Sequence, residues 1–246
     1  MGMKPTKAMV LAAGLGLRMR PLTDTQPKPL IEVLSHTMLD RALDRLVAVG
    51  VTDCVVNTHY LGQMIHDHLA GRLTPRIEFS DEDTLLDTGG GVLRALPLLD
   101  GGPFYVVNAD VVWLDGRRSA LARLAEAWDD ERMDACLMVH STVRAIGYEG
   151  PGDFLLDPFG LVKRRRENQI APFVFTGVQI LHPRLFRDAP SGNFSLNVLY
   201  DRAEEAGRLF AIVHDGEWFH IGTPDSLIDA EDAMSDIFRV DPRRDP

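Results

Sequence analysis

Apolar and polar positions over the first half of the chain follow two alternating periods. Short apolar runs at Lys7 to Leu11, Asp53 to Asn57, Arg76 to Ser80, Phe104 to Asn108 and Ala135 to His140 predict buried strands. Between them the spacing becomes helical. Leu39, Ala42, Leu43, Leu46 and Val47 fall on one stripe of a helix from Met38 to Val49, with Thr37 as its cap and Gly50 as its stop. Leu61, Met64, Ile65, His68 and Leu69 repeat the stripe, and further helices are expected near Gly90 to Leu96 and Ser119 to Trp128. This alternation predicts an α/β fold, a mostly parallel sheet flanked by helices. Ligands of such sheets bind beyond the C-terminal strand ends. The rule singles out the loop after Leu11, the loop after Ser80 and the segment after Asn108.

From about Gly147 the pattern changes. Gly152 to Asp157 and Leu161 to Arg165 read as a hairpin around Pro158-Phe159-Gly160, and Phe173 to Leu181 as a further strand. A helix at Leu196 to Ala206, a strand at Leu209 to Val213 and a closing helix at Thr223 to Ser235 follow. We expect one domain over residues 1–240, in two halves, with a frayed tail at 241–246. Residues 1–146 form the main sheet in this reading, and 147–240 a β-rich lid with the closing helix.

Charge narrows the partners. Lys plus Arg number 26 and Asp plus Glu 36, a net charge of −10 over 246 residues. Such a balance argues against DNA or RNA, whose binding rests on phosphate neutralisation, yet allows a local basic pocket for a small anion. No uncharged run reaches the roughly 20 residues of a membrane helix. The apolar run from Ala8 is broken by Gly14 and Gly16 and followed by Arg18 and Arg20, unlike a signal peptide. Cys54 and Cys136 are isolated between apolar neighbours and read as buried thiols of a reduced, cytoplasmic protein.

The stretch Leu11-Ala12-Ala13-Gly14-Leu15-Gly16-Leu17-Arg18 carries the most chemistry. Small residues after a strand let backbone N–H groups approach an anion, and Arg18 and Lys28 add two cations, which suits polyphosphate. A dinucleotide fingerprint fails because Met19 stands where its third glycine belongs, and the Walker spacing is absent. Gly14-Leu15-Gly16 alone fits a solvated Gly-rich turn equally well.

The longer string, Gly14 through Pro21-Leu22-Thr23 followed by Pro27-Lys28-Pro29-Leu30, resembles the signature of the sugar-1-phosphate nucleotidyltransferases. Leu86-Asp87-Thr88-Gly89-Gly90-Gly91 looks like the subgroup of uridylyltransferases acting on N-acetylmuramic acid 1-phosphate in cell-wall recycling; mannose-1-phosphate guanylyltransferase-like proteins are similar. The resemblance implies a Rossmann-like sheet of the nucleotide-diphospho-sugar transferase type with a sugar-binding lid. It implies Mg²⁺-dependent transfer of a nucleotidyl group from a nucleoside triphosphate to a sugar 1-phosphate, by a monomer or homodimer. Arg18, Lys28 and Asp110 are the implied catalytic residues. Leu11, Ala12, Ala13, Gly14, Gly16, Gly89 and Asn108 would join Arg18 and Lys28 around the nucleotide. Thr88, Gly90, Thr176, Gly177 and Asn197 would meet the sugar. Asp110 would bind the metal, with His220 where relatives carry a second aspartate. Lys163 to Arg166 replaces a Glu-Lys-Pro pattern of the family, and reads either as a solvated strand edge or as a contact for an anionic substrate. These departures keep open a different class, a catalytically weak nucleotide-binding regulator.

Overall fold

A computed structural model describes residues 4–99 and 101–241. Its elements run β1 (Lys7–Leu11), β2 (Glu32–Val33), β3 (His36–Thr37), α1 (Met38–Ala48), β4 (Asp53–Thr58), α2 (Gly62–Leu69), β5 (Arg76–Asp81), α3 (Asp87–Leu99), β6 (Phe104–Asn108) and β7 (Val112–Leu114). Then come α4 (Ala120–Ala127), β8 (Ala135–Ser141), β9 (Phe154–Leu156), β10 (Val162–Arg164), β11 (Phe173–Leu181), α5 (Asn197–Glu205), β12 (Leu209–Val213), β13 (Glu217–Phe219) and α6 (Pro224–Val240). Residues 242–246 of the expected tail lie outside the described residues.

Strands β5, β4, β1 and β6 lie side by side and parallel, as the alternation predicts. Each strand sends alternate side chains to opposite layers. Ala8 and Val10 of β1 enter the layer under α1, while Met9 enters the layer under α3. Tyr105 and Val107 of β6 divide from Phe104 and Val106 in the same way. Thr37 caps α1 as expected, its Oγ1 accepting the Asp40 N–H at 3.0 Å. Thr223 and Ser226 form a capping box at α6, with Pro224 in the first turn, and α6 packs on a third apolar cluster around Met19, Met38 and Phe219.

The expected lid strand is a correction. β11 stands in the middle of the main sheet, antiparallel to both β6 and β8. Every residue from Thr176 to Leu181 is buried, as in a strand covered on both faces. A register shift between Phe175 and Gln179 interrupts its pairing with β8. The β9–β10 hairpin extends the same sheet, meeting β11 at Phe154 with Phe173.

A two-stranded ribbon, β7 with β13, was not legible in the sequence and matters for the site. Val112 pairs with Phe219 in antiparallel register. Continuing that register beyond the pair brings His220 beside the Asp110–Val111 end of the opposite strand.

Candidate active site

The C-terminal ends of β1, β4, β5 and β6 converge on a cleft of about 590 Å³. Ala12 N–H donates to Asn57 Oδ1 at 2.8 Å, and Asn57 Nδ2 donates to Glu82 Oε1 at 2.7 Å. Glu82 Oε2 in turn accepts the Leu86 N–H at 2.9 Å. This buried chain of bonds ties three strand ends to the approach of α3, and satisfies each polar group it buries. The Ala109 N–H closes on Leu11 O at 3.0 Å, fixing the end of β6 to β1.

The phosphate-type loop follows β1. Gly16 has φ +63°, and a Cβ there would lie 2.9 Å from the Thr23 methyl, so glycine is required for both conformation and room. Its left-handed conformation is followed by a short 3₁₀ turn at Leu17–Met19, and a left-handed residue beside right-handed ones is the backbone alternation from which anion-binding nests are built. Gly16 O is held by Met19 N–H at 2.9 Å and Thr23 Oγ1 at 2.8 Å. Tyr60 donates its hydroxyl to Thr23 O at 2.8 Å and props the loop from β4's side.

Charges meet at the mouth. Lys28 Nζ lies 2.6 Å from Asp110 Oδ2; the lysine side chain is only 10% exposed and the aspartate 39%. Arg18 is exposed and has no carboxylate partner among the described residues. His220 is half-buried at the end of β13, and its imidazole titrates below the usual histidine value. Burial is the main cause; the positive charges of Arg18 and Lys28 add to it and Asp110 opposes it.

The structure brings Leu11, Ala12, Ala13, Gly14, Gly16, Arg18, Lys28, Thr88, Asn108 and Asp110 to this cleft. It corrects others. The N–H groups of Gly89 and Gly90 both donate to Phe194 O, at 2.9 and 3.1 Å, and both residues are buried behind Thr88. A Cβ on Gly89 would lie 2.3 Å from the Phe194 ring. The close approach that these glycines serve is therefore that of the chain's own 192–196 segment. Ala12 N–H is likewise committed, to Asn57. Thr176 is buried, its Oγ1 donating to Met138 O at 2.7 Å and its carbonyl accepting Trp218 Nε1–H at 3.1 Å, because β11 is a central strand. Gly177 packs on Asn108, its would-be Cβ 3.0 Å from Asn108 Nδ2. Asn197 is exposed in a second cavity under the β9–β10 hairpin.

Among the polar cleft residues, Asn57, Glu82 and Asn193 were not site candidates in the sequence. A polar residue closing the otherwise apolar run Cys54-Val55-Val56 was the available signal for Asn57. No group of three or more His, Cys, Asp or Glu side chains among the described residues could hold a metal alone. Asp110 alone offers one hard oxygen donor beside Lys28, which suits a cation that arrives with phosphate oxygens, whereas the His220 imidazole is a softer donor. Cys54 and Cys136 are buried and unpaired, burial pushing both thiols up to about 12. Among the described residues no helix is long and apolar enough to cross a membrane.

Comparison with known proteins agrees with this geometry. A family model described as nucleotidyl transferase matches residues 7–148. N-acetylmuramate alpha-1-phosphate uridylyltransferase of Caulobacter vibrioides is 44% identical over 96% of this chain and 100% of its own length. The protein of the same name from Neisseria meningitidis is 37% identical over 92% of this chain and 96% of its own. A solved UDP-glucose pyrophosphorylase complexed with UDP-glucose shares the fold, with TM-score 0.75 and 15% identity over 95% of this chain and 99% of that one.

Proposed function

Because the chain belongs to the nucleotidyl transferase family, we propose that it transfers uridylyl from UTP to N-acetylmuramic acid 1-phosphate, releasing pyrophosphate. The observation that carries this reading is the Lys28–Asp110 pair at 2.6 Å, set at the mouth of a cleft lined by the left-handed Gly16 turn. A cation and a carboxylate held together beside an anion-binding turn suit a metal-bound triphosphate.

An oxygen of the sugar phosphate attacks the α-phosphorus, forming a new P–O bond. The bond from the α-phosphorus to the bridging oxygen breaks, and its electron pair leaves with pyrophosphate. The attacking phosphate is already ionised at neutral pH, so no general base is required. The protein's task is positioning and charge stabilisation. Arg18 neutralises the β and γ phosphates and then the departing pyrophosphate. Lys28 leaves Asp110 for the α-phosphate, where charge grows in the transition state. Asp110, with His220 beside it, would hold Mg²⁺, and the ion would supply further neutralisation of the phosphate oxygens. Asn57 and Glu82 hold the loop that lines the base and ribose. The cellular role that goes with this reading is the cytoplasmic reuse of cell-wall sugars.

The test is pyrophosphate release with Mg²⁺ across four nucleoside triphosphates and a panel of sugar 1-phosphates that includes N-acetylmuramic acid, mannose and glucose. Turnover is expected with UTP and the muramic acid ester. Turnover with another pair reassigns the substrates. Silence across the panel, with nucleotide binding intact, favours a regulator that binds without turnover.

A further inference from the structure

The second cavity, about 430 Å³, lies between the β9–β10 hairpin and the start of α5. Asp153, Arg164, Arg165, Phe175, Asn197 and Tyr200 form much of its wall. It is joined to the nucleotide cleft by β11. Phe175 faces the cavity, and Gly177, two residues along, packs on the cleft residue Asn108. A sugar 1-phosphate with its phosphate in the cleft and its ring along this strand would carry its far substituents toward the cavity.

The two arginines of the cavity are held differently. Arg164 is neutralised by Asp201. Arg165 donates Nε–H to Gly152 O at 2.7 Å, and its Nη1 reaches the carbonyls of Arg166, Glu167 and Gln169 at 3.3, 3.1 and 3.4 Å. All of these acceptors are uncharged, and no carboxylate pairs with Arg165 among the described residues. Its Nη2 makes no hydrogen bond to them. Asp153, whose carbonyl accepts the Arg165 N–H at 2.8 Å, spends Oδ2 on the Phe175 N–H at 2.8 Å. Arg165 is thus a half-buried cation fixed in orientation by main chain, and neither Asp153 nor Glu167, the acidic residues of the cavity wall, forms an ion pair with it. A planar guanidinium in that state is suited to a carboxylate.

We infer that Arg165 binds the lactyl carboxylate of N-acetylmuramic acid 1-phosphate and makes the enzyme select an anionic acceptor over neutral hexose or hexosamine 1-phosphates. The inference rests on the uridylyl-transfer reading above. Arg165 is a specificity residue in this account, remote from the phosphorus.

The experiment compares two acceptors that differ only in charge: N-acetylmuramic acid 1-phosphate and the same ester with its lactyl carboxylate converted to the primary amide. Wild-type enzyme should show a KM on the order of 10- to 100-fold lower for the acid, the range of a charge-assisted bond. In Arg165→Gln that preference should vanish, because KM rises far more for the acid than for the amide, while kcat changes little on either. Arg165→Lys should restore part of it. Activity on the amide reports that the variant is folded. Equal loss on both acceptors, or a preference that survives in Arg165→Gln, overturns the assignment. If wild-type enzyme turns over neither acceptor, the proposed function fails instead.

Discussion

Lys28 Nζ and Asp110 Oδ2 lie 2.6 Å apart across the mouth of the cleft, joining the phosphate-type loop to the end of β6. Each group occupies the other's ligand. The lysine is poised for a phosphate and the aspartate for a cation, and neither is free until both arrive. Asp110→Asn should therefore separate binding from chemistry. Lys28, nearly buried, loses its counter-ion and becomes available to a triphosphate alone. Nucleotide affinity measured in EDTA should rise or stay level, while pyrophosphate release with Mg²⁺ falls by at least about 100-fold. Weaker nucleotide binding in EDTA would show that the pair does not compete with phosphate.

Asn57→Ala should act on the loop through its backbone. It leaves the buried Ala12 N–H and one oxygen of Glu82 without a partner. The expected cost is about 1–3 kcal/mol of stability, with a raised KM for nucleotide and a smaller change in KM for the sugar phosphate. Thermal unfolding and steady-state kinetics together check it. A KM that rises for the acceptor alone contradicts the role given to Asn57.

Gly89→Ala tests why α3 opens on glycines. The new methyl would meet the Phe194 ring and carbonyl, at 2.3 and 2.8 Å, and must displace the 192–196 segment. Overpacking of this kind costs about 1–3 kcal/mol. A lower unfolding temperature is expected, with nucleotide affinity reduced only as far as Thr88 moves. A variant with full stability and abolished nucleotide binding would return Gly89 to the ligand.

Acid should destabilise the fold through His140 and His214. Their rings lie 5.6 Å apart and both are buried; neither nitrogen of His140 makes a hydrogen bond. Burial holds both imidazoles below the usual histidine value, with His140 adding to the effect on His214. The unfolded chain then takes up protons near pH 6.5 that the folded chain refuses. Stability is complete above about pH 6.5 and is lost as pH falls through the window between that value and the depressed folded ones. His140→Leu should be neutral or stabilising near pH 7.5 and give a shallower decline toward about pH 5 in denaturant titrations. An unchanged slope would assign the acid sensitivity elsewhere.

The order of strands and helices was readable because each parallel strand is an apolar run and each helix an apolar stripe. Pairing was not. Phe173 to Leu181 announces a strand, but its place between β6 and β8 is decided by contacts far along the chain. The β7–β13 ribbon has three residues on each side, too few for a period. The β2–β3 turn uses Leu34 and Ser35 at positive φ, without the glycine or asparagine that usually marks such a turn. In the site, motif residues were found because they sit in one contiguous loop. Asn57 and Glu82 act as single side chains at separate strand ends, and only folding brings them to Ala12. The glycines of α3 announced a close approach correctly but could not say to what.

The β9–β10 hairpin pairs with β11 at Phe154–Phe173, is held besides by Ala211 N–H on Gly160 O and Arg164 N–H on Glu204 Oε2, and carries Arg165 just past its last strand, whereas the nucleotide cleft is woven from four adjoining strands. Under the Arg165 assignment, acceptor choice and donor chemistry fall on different stretches of chain. A lineage could exchange or lengthen the hairpin, and so change which sugar is accepted, while the triphosphate machinery is inherited untouched.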